Sequence, residues 1–196
     1  EAKVMPCKRD LLAPKSHRII THISNFRPLK RIQDVIKIFE NILPTVPSKL
    51  LMVGEGPEKQ KAMDYVKEKG LTESISFLGN SNEIDKILCY SDLFLLPSEK
   101  ESFGLSALEA MANKVPVISS NAGGIPEVNK DNFSGYLSDV GDLDGMAKKA
   151  LLLLQDDTKL KQFKEQAKEQ ASLFDIDAII SQYEAVYSEA IAAHQF

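Results

Sequence analysis

Two glutamates, Glu101 and Glu109, flank the start of a segment whose apolar residues have helical spacing. The carboxylate of each can bind a ligand only through hydrogen-bond donors or cations. The apolar run 93–96 before them predicts a buried strand that ends at Pro97. After a short polar loop, apolar residues recur with the period of a helix at Leu105, Leu108, Met111 and Ala112. An ionised carboxylate only accepts hydrogen bonds, so both glutamates call for hydroxyl or cationic partners.

The turn between this strand and this helix has the features of an anion site. The first N–H groups of a helix are unpaired and point toward the carboxyl edge of the sheet, where anions bind. Gly104 permits close approach to the backbone, and we expect Ser102 to be the N-cap. A phosphate suits this helix start, the two hydroxyls of a ribose suit Glu109, and a second polyol suits Glu101.

Basic residues follow the first predicted strand and precede a helix. They are Arg27, Lys30 and Arg31. Because parallel strands end at one edge of a sheet, these cations are expected near Glu101. At a helix start, positive side chains are repelled by the positive end of the helix dipole, so a bound anion would offset this unfavourable interaction. They therefore predict neutralisation of a diphosphate, with a solvated surface as the alternative.

Strand and helix patterns alternate along the chain. Strands are predicted over 18–24, 49–53, 74–79, 92–96 and 115–119, with a possible short one at 135–137. Helical patterns separate them, and further helices are predicted over 143–154, 158–173 and 176–193. This alternation predicts an α/β fold with a doubly wound, Rossmann-like parallel sheet, whose ligands bind at the carboxyl ends of the strands.

Composition narrows the class of protein. A chain of 196 residues with 43% hydrophobic residues suits one domain with a sizeable core. The net charge of −4, without a basic stripe, argues against a nucleic-acid partner. We see no secretory signal and no transmembrane segment, so a cytoplasmic location is expected.

Cysteines and histidines give no metal or disulfide motif. Cys7 and Cys89 are expected to be reduced thiols, Cys89 in a buried packing role. The histidines are scattered and are expected to have structural or surface roles; they are His17, His22 and His194. No metal site is predicted.

The segment E-S-F-G-L-S-A-L-E-A-M-A at 101–112, followed by V-P-V-I-S-S-N-A-G-G-I-P-E-V at 115–128, resembles the donor-binding motif of the retaining family 4 glycosyltransferases. The resemblance extends over roughly residues 19 to 190. It implies the C-terminal half of a GT-B architecture, in which two Rossmann-like domains face each other across a cleft. Residues 1–17 would be a linker from a missing N-terminal domain, and 18–174 the donor-nucleotide-sugar-binding domain. The terminal helix, 175–196, would pack either on the missing domain or on its own.

The resemblance also implies roles for the residues that match the motif. Glu101 would hold the sugar hydroxyls and, with Lys30 and Arg27, form the catalytic group. The family usually has an arginine where this chain has Asn25, and Arg27 is the expected substitute. The donor-binding set would begin with Glu109, which would bind the ribose, and with the turn Phe103, Gly104 and Leu105, whose amides would face the sugar and the phosphate. It would also include Gly54 in the loop that lines the nucleotide site and Gly79 and Asn80 in the segment that contacts the base.

Within the family, S-N-F-R-P-L-K-R at 24–31 is most similar to the malate-accepting enzymes of bacillithiol biosynthesis in bacteria. This implies metal-independent transfer of N-acetylglucosamine from UDP-N-acetylglucosamine, without a cofactor, to L-malate bound through the missing domain. The chain alone would then be inactive, and a homo-oligomer stays open. The alternatives are a non-catalytic nucleotide-sugar-binding fragment or subunit, a family 4 transferase with another sugar or acceptor, and a nucleotide-sugar epimerase of the same architecture.

Overall fold

A computed structural model describes residues 9–193 as one sheet with helices on both faces. Every strand pairs in parallel, in the order β3-β2-β1-β4-β5-β6. The strands are β1 (Arg18–Ile23), β2 (Ser48–Val53), β3 (Ile75–Gly79), β4 (Leu93–Leu96), β5 (Val117–Ser120) and β6 (Gly135–Ser138). The predicted doubly wound parallel sheet is confirmed.

The helices lie between and after these strands. They are α1 (Ile32–Ile42), α2 (Lys59–Glu68), α3 (Ile84–Leu88), α4 (Leu105–Ala112), α5 (Ile125–Val128), α6 (Leu143–Leu154), α7 (Asp157–Ser172) and α8 (Ile176–Ala193). Two 3₁₀ turns, Arg9–Leu11 and Pro28–Lys30, and the single turn α5 were not predicted. Elements of three or four residues are too short to show a helical period.

Alternate strand residues feed two cores, one on each face of the sheet. Ile20, Leu50 and Leu95 pack with the apolar faces of α1 and α6. Ile19 and Leu51 pack on the opposite face with α4 and with α7. Because neighbouring strand residues point to opposite faces, strands buried on both faces read as continuous apolar runs.

The strand order reverses between β1 and β4, and these two strands pair only briefly. Their register covers Ile20 with Leu93 and Thr21 with Phe94, whereas β1 continues to Ile23. Beyond this pairing the two strands diverge. In a doubly wound sheet such a reversal opens a crevice at the carboxyl ends of the strands, where ligands bind.

Part of the stretch expected to be a linker contacts the sheet. A guanidinium nitrogen of Arg9 lies 3.3 Å from a carboxylate oxygen of Asp92, and Ala13 is buried. Asp92 also accepts a hydrogen bond from the N–H of Ile19 at 2.9 Å and pairs with Lys164. Residues 9–17 are therefore attached at the amino end of β1.

The cysteine expectation was wrong for Cys89, whose side chain is exposed. Its Sγ donates to the carbonyl of Lys86 at 3.1 Å at the end of α3, a helix of five residues that buries Ile87 and Leu88 instead. Cys7 and His194 lie outside the described residues. His22 is fully buried, as a structural role requires.

Helix α8 has the predicted bounds and leaves a large apolar surface exposed. Its exposed side chains are Ile176, Ile180, Tyr183, Val186, Tyr187 and Ile191. Packing of this helix on a further domain stays a prediction. Within the described part of the chain, no helix combines the length and apolar character needed to cross a membrane.

Candidate functional site

A pocket of about 470 Å³ lies at the carboxyl edge of the sheet, over the reversal between β1 and β4. Three loops form it: the ones that follow β1, β4 and β5. Its lining residues are Asn25, Arg27, Leu29, Lys30, Lys100, Glu101, Ser102 and Gly123. The structure thus brings together the three residues predicted to form the catalytic group.

An ion pair between Lys30 and Glu101 crosses the pocket from the β1 loop to the β4 loop. The two side chains are 16% and 10% exposed, so this pair is largely withdrawn from water. Ser98 donates a hydrogen bond of 3.0 Å to the same carboxylate oxygen, Oε1. Within the described residues no hydrogen bond reaches Oε2, which leaves that oxygen to accept from a ligand hydroxyl.

Backbone contacts fix the loops that carry this pair. The N–H of Glu99 donates to the carbonyl of Leu29 at 2.8 Å, and the N–H of Gly124 donates to the carbonyl of Glu101 at 3.1 Å. Gly123 has a φ of +57°, and a Cβ built on it would lie 1.8 Å from the carbonyl oxygen of Glu101. Only glycine permits such close contact between the two backbones, so the loop after β5 packs against the backbone of Glu101 and fixes its position.

The pocket has an excess of cations. Arg27 and Lys100 are exposed, and neither forms an ion pair with another described residue. Arg31, expected in the same group, instead pairs with Asp34 at 2.5 Å and does not line the pocket. The lining thus has three cations, Arg27, Lys30 and Lys100, against the single carboxylate of Glu101, and this net positive charge suits a diphosphate.

The start of α4 differs from the sequence expectation. Ser102 is not the N-cap; Gly104 occupies that position with a φ of +94°, and no side chain caps the helix. Leu105 is 66% exposed rather than part of a buried stripe. Phe103 packs edge-on against Phe174, with ring centroids 5.6 Å apart. The uncapped amides of this turn stay available to an anion.

Glu109 lies on α4 outside the pocket lining. It is exposed, and within residues 9–193 its carboxylate forms no hydrogen bond or ion pair. Partial burial raises the pKa of this carboxyl, and the nearby Asp85 carboxylate raises it further. A carboxylate in such surroundings gains from hydroxyl donors that a ligand would supply.

The remaining predicted residues lie along the same edge of the sheet. The N–H of Gly54 donates to the carbonyl of Gly79 at 2.8 Å, which joins the ends of β2 and β3. A Cβ on Gly54 would lie 1.8 Å from the carbonyl oxygen of Ser24, so the loops after β1 and β2 are in contact. Asn80 follows β3 directly. None of these three residues lines the pocket.

Residues of the site that were absent from the predicted set include Asn25, Leu29, Ser98, Lys100 and Gly123. The glycine pair 123–124 belongs to the segment 115–128 that resembles the family, but its role here is contact between two backbones far apart in sequence, which a local pattern does not show. For Ser98 and Lys100, the only sequence feature that indicates a place in the site is weak: both follow the predicted strand 93–96, at the edge of the sheet where the motif lies.

Comparison with known proteins agrees with this geometry. The family model of glycosyl transferases group 1 matches residues 7–170. The chain is 43% identical to N-acetyl-alpha-D-glucosaminyl L-malate synthase of Bacillus anthracis over 185 residues, which are 94% of this chain and 49% of that protein. The chain thus spans about half the length of this curated relative.

Solved structures show the same fold. The Staphylococcus aureus protein TarM, crystallised as a mutant with fondaparinux, alpha-GlcNAc-glycerol and UDP, matches with a TM-score of 0.79 and 28% identity, over 89% of this chain and 37% of that one. HepE of Anabaena, in complex with UDP, matches with a TM-score of 0.85 and 25% identity, over 92% of this chain and 51% of that one. The chain belongs to the group 1 glycosyl transferases and has the fold of their GT-B structures.

Proposed function

We propose that this chain is the donor-binding half of a retaining glycosyltransferase that transfers N-acetylglucosamine from UDP-N-acetylglucosamine to L-malate. The observation that carries the proposal is the pocket at the sheet edge. It combines the Lys30–Glu101 pair with two cations that have no ion-pair partner among the described residues, and its lining reaches Ser102, two residues before Gly104 at the uncapped start of α4.

The carboxyl edge of the sheet, in the pocket and beside it, supplies partners for each part of a nucleotide diphosphate sugar. Arg27 and Lys30 would neutralise the diphosphate together with the amides at the start of α4. Oε2 of Glu101 would accept from sugar hydroxyls, and Glu109 from the two ribose hydroxyls. Gly54, Gly79 and Asn80, at the ends of β2 and β3, would lie along the nucleoside.

The choice of sugar and acceptor rests on the relatives. One is named an N-acetyl-alpha-D-glucosaminyl L-malate synthase, and one was crystallised with UDP and alpha-GlcNAc-glycerol. Malate would bind through an N-terminal half of the protein, the part of the relative that this chain does not span. The substrate specificity is therefore inferred from similarity, whereas the diphosphate and polyol chemistry follows from the pocket.

The proposed chemistry needs no metal and no cofactor. The cations would stabilise the negative charge that develops on the leaving diphosphate, and a phosphate oxygen would help to deprotonate the acceptor on the same face of the sugar. The protein would then act by holding donor and acceptor in a reactive geometry. Lys30 and Glu101 would position the sugar rather than act as acid and base.

The test is a calorimetric titration of the 196-residue chain with UDP, UDP-N-acetylglucosamine, GDP and ADP. We expect selective binding of the two uridine ligands. Glu109→Ala should weaken UDP binding by about 1–3 kcal/mol, because a charged hydrogen-bond acceptor for the ribose is lost. Glu165→Ala is the matched control, since Glu165 is an exposed helical glutamate that pairs with Lys114 away from the pocket.

The outcomes separate the alternatives. Equal binding of all four nucleotides, or unchanged affinity in Glu109→Ala, would contradict the donor-site assignment. If UDP binds selectively, the chain within its full-length protein should be assayed for transfer to malate. Release of an epimerised sugar, or binding without turnover, would favour an epimerase or a non-catalytic binding protein instead.

A further inference from the structure

His22 is the one histidine of β1, and it lies fully buried beneath the pocket. Its ring is stacked with two aromatic rings, with centroid distances of 6.1 Å to Phe26 and 6.4 Å to Phe94. The motif around Glu101 does not involve this residue, and neither does the proposed function. Its two ring nitrogens nevertheless connect both halves of the site.

One ring nitrogen has its partner in β4 and the other has its partner in the loop after β1. Nδ1 lies 2.8 Å from the carbonyl oxygen of Leu95, and Nε2 lies 2.8 Å from Oγ of Ser24. The N–H of Phe26 in turn donates to Oγ of Ser24 at 3.3 Å. Because a carbonyl oxygen can only accept, Nδ1 must carry the proton. Neutral His22 then accepts at Nε2, so the hydroxyl of Ser24 donates to it.

The histidine bridges the gap that opens between the two central strands. The β1–β4 pairing ends at Thr21 and Phe94, one residue before His22 and Leu95. Where the backbone hydrogen bonds between the two strands stop, the imidazole donates to the carbonyl of Leu95 in β4 and accepts from Ser24 in the loop after β1. That loop is strained, since Phe26 has a φ of +37° although it is not glycine.

The loop held in this way carries the cations of the pocket. Arg27 follows Phe26 directly, and the N–H of Lys30 donates to the carbonyl of Arg27 at 2.9 Å. Only two residues separate Leu95 from the stretch 98–101, whose last residue, Glu101, pairs with Lys30. Movement of either strand end would therefore change the distance between the two charged groups.

We infer that His22 is a positioning residue of the donor site: its Nδ1-protonated tautomer joins the end of β4 to the β1 loop and holds Arg27 and Lys30 opposite Glu101. The inference deepens the proposed function and rests on it for the identity of the ligand. The ligand classes that benefit are those with a diphosphate, because the residues positioned are cations.

The protonation of the ring agrees with this geometry. Burial and, to a smaller extent, the charge of Lys30 lower the pKa of His22 to about 4, against the opposing effect of the hydrogen bond to Leu95. At neutral pH the ring is thus uncharged and has a single N–H. A charged ring would place a second donor against Ser24 and a cation beneath Lys30.

The first experiment is nitrogen NMR of the unmodified chain, which reports the tautomer without any ligand. We expect the His22 signals of an Nδ1-protonated neutral ring at pH 7. An Nε2-protonated or charged ring would overturn the inference, whatever the chain binds.

The second experiment measures UDP affinity and amide hydrogen exchange in variants. His22→Phe keeps an aromatic ring but removes both hydrogen bonds, and we expect about tenfold weaker UDP binding and about tenfold faster exchange at the Phe26 amide. Ser24→Ala should have a similar effect. The double variant should be no worse than either single one, because both act through one chain of hydrogen bonds.

Thr21→Val is the matched control. Thr21 is buried on the same strand, points to the opposite face and shares a 2.6 Å hydrogen bond with Ser91, which precedes β4 at its amino end; neither residue lines the pocket. It should lower thermal stability as His22→Phe does but leave UDP affinity unchanged. Equal affinity in His22→Phe and Thr21→Val, with unchanged exchange at Phe26, would show a purely structural role and overturn the inference. If the unmodified chain fails to bind UDP, the proposed function fails, and the tautomer and exchange results still decide this one.

Discussion

The two glutamates of the motif lie in opposite surroundings. Glu101 is 10% exposed, pairs with Lys30, accepts from Ser98 and is supported from behind by Gly123. Glu109 is exposed on α4, and among the described residues its carboxylate has no hydrogen-bond partner. The two residues are eight positions apart in the sequence, yet protein contacts hold the carboxylate of Glu101 in place, whereas the carboxylate of Glu109 is held by no hydrogen bond or ion pair with another described residue.

This difference indicates that Glu101 and Glu109 have different roles in the site. Because the protein already satisfies Oε1 of Glu101, that group is in position before any ligand arrives, and a ligand need only add a donor to Oε2. Glu109 is partly withdrawn from water without a hydrogen-bond partner among the described residues, and it would gain hydrogen bonds only from a bound molecule. Substitutions at Glu101 and its partners should therefore change stability, whereas substitutions at Glu109 should change binding.

Breaking the Lys30–Glu101 pair should have the largest effect. Lys30→Met leaves the Glu101 carboxylate largely buried without its cation, and we expect a loss of about 2–3 kcal/mol in the free energy of unfolding. Urea denaturation at pH 7 measures it. The double variant Lys30→Met with Glu101→Gln should recover most of the loss, since no charge is then stranded. A single variant as stable as the unmodified chain would contradict the contrast between the glutamates.

Disturbing the support behind Glu101 should have an intermediate effect. A Cβ in Gly123→Ala would overlap the Glu101 carbonyl in a backbone of positive φ, and we expect a destabilisation of about 2 kcal/mol. Gly70→Ala is the control, because Gly70 has a φ of +67° but no atom within 4 Å of the added Cβ, and it should cost about 1 kcal/mol. Thermal denaturation compares the two; equal losses would mean that the contact with Glu101 costs nothing.

Neutralising Glu109 should change stability least, and in the opposite direction. The raised pKa of this carboxyl means that its charged form is disfavoured in the folded chain. Glu109→Gln should therefore stabilise by a few tenths of a kcal/mol, about what an exposed substitution gives, at pH 7. The gain should vanish as the pH falls below the ordinary glutamate pKa, where both states are protonated. Denaturation curves over that pH range give the sign, and a gain that grows at low pH would contradict it.

Prediction from sequence succeeded where local pattern dominates. The six strands and the long helices were placed within a few residues, and α6 and α8 had their predicted bounds, because apolar periodicity is written locally. The 3₁₀ turn that contains Lys30 and the N-cap at Gly104 were missed. Those depend on φ values and on neighbouring loops, which residue types alone do not specify.

The amino-acid sequence by itself determined the alternation of strands and helices, the position of the motif at a strand-to-helix turn and the edge of the sheet at which its residues would gather. Only the tertiary structure decided which of them meet. Lys30 and Glu101 are brought together because the strand order reverses between β1 and β4, and Gly123 joins them because β5 ends at the same edge. These contacts span 71 residues in the first case, and a local pattern carries no information about such pairs.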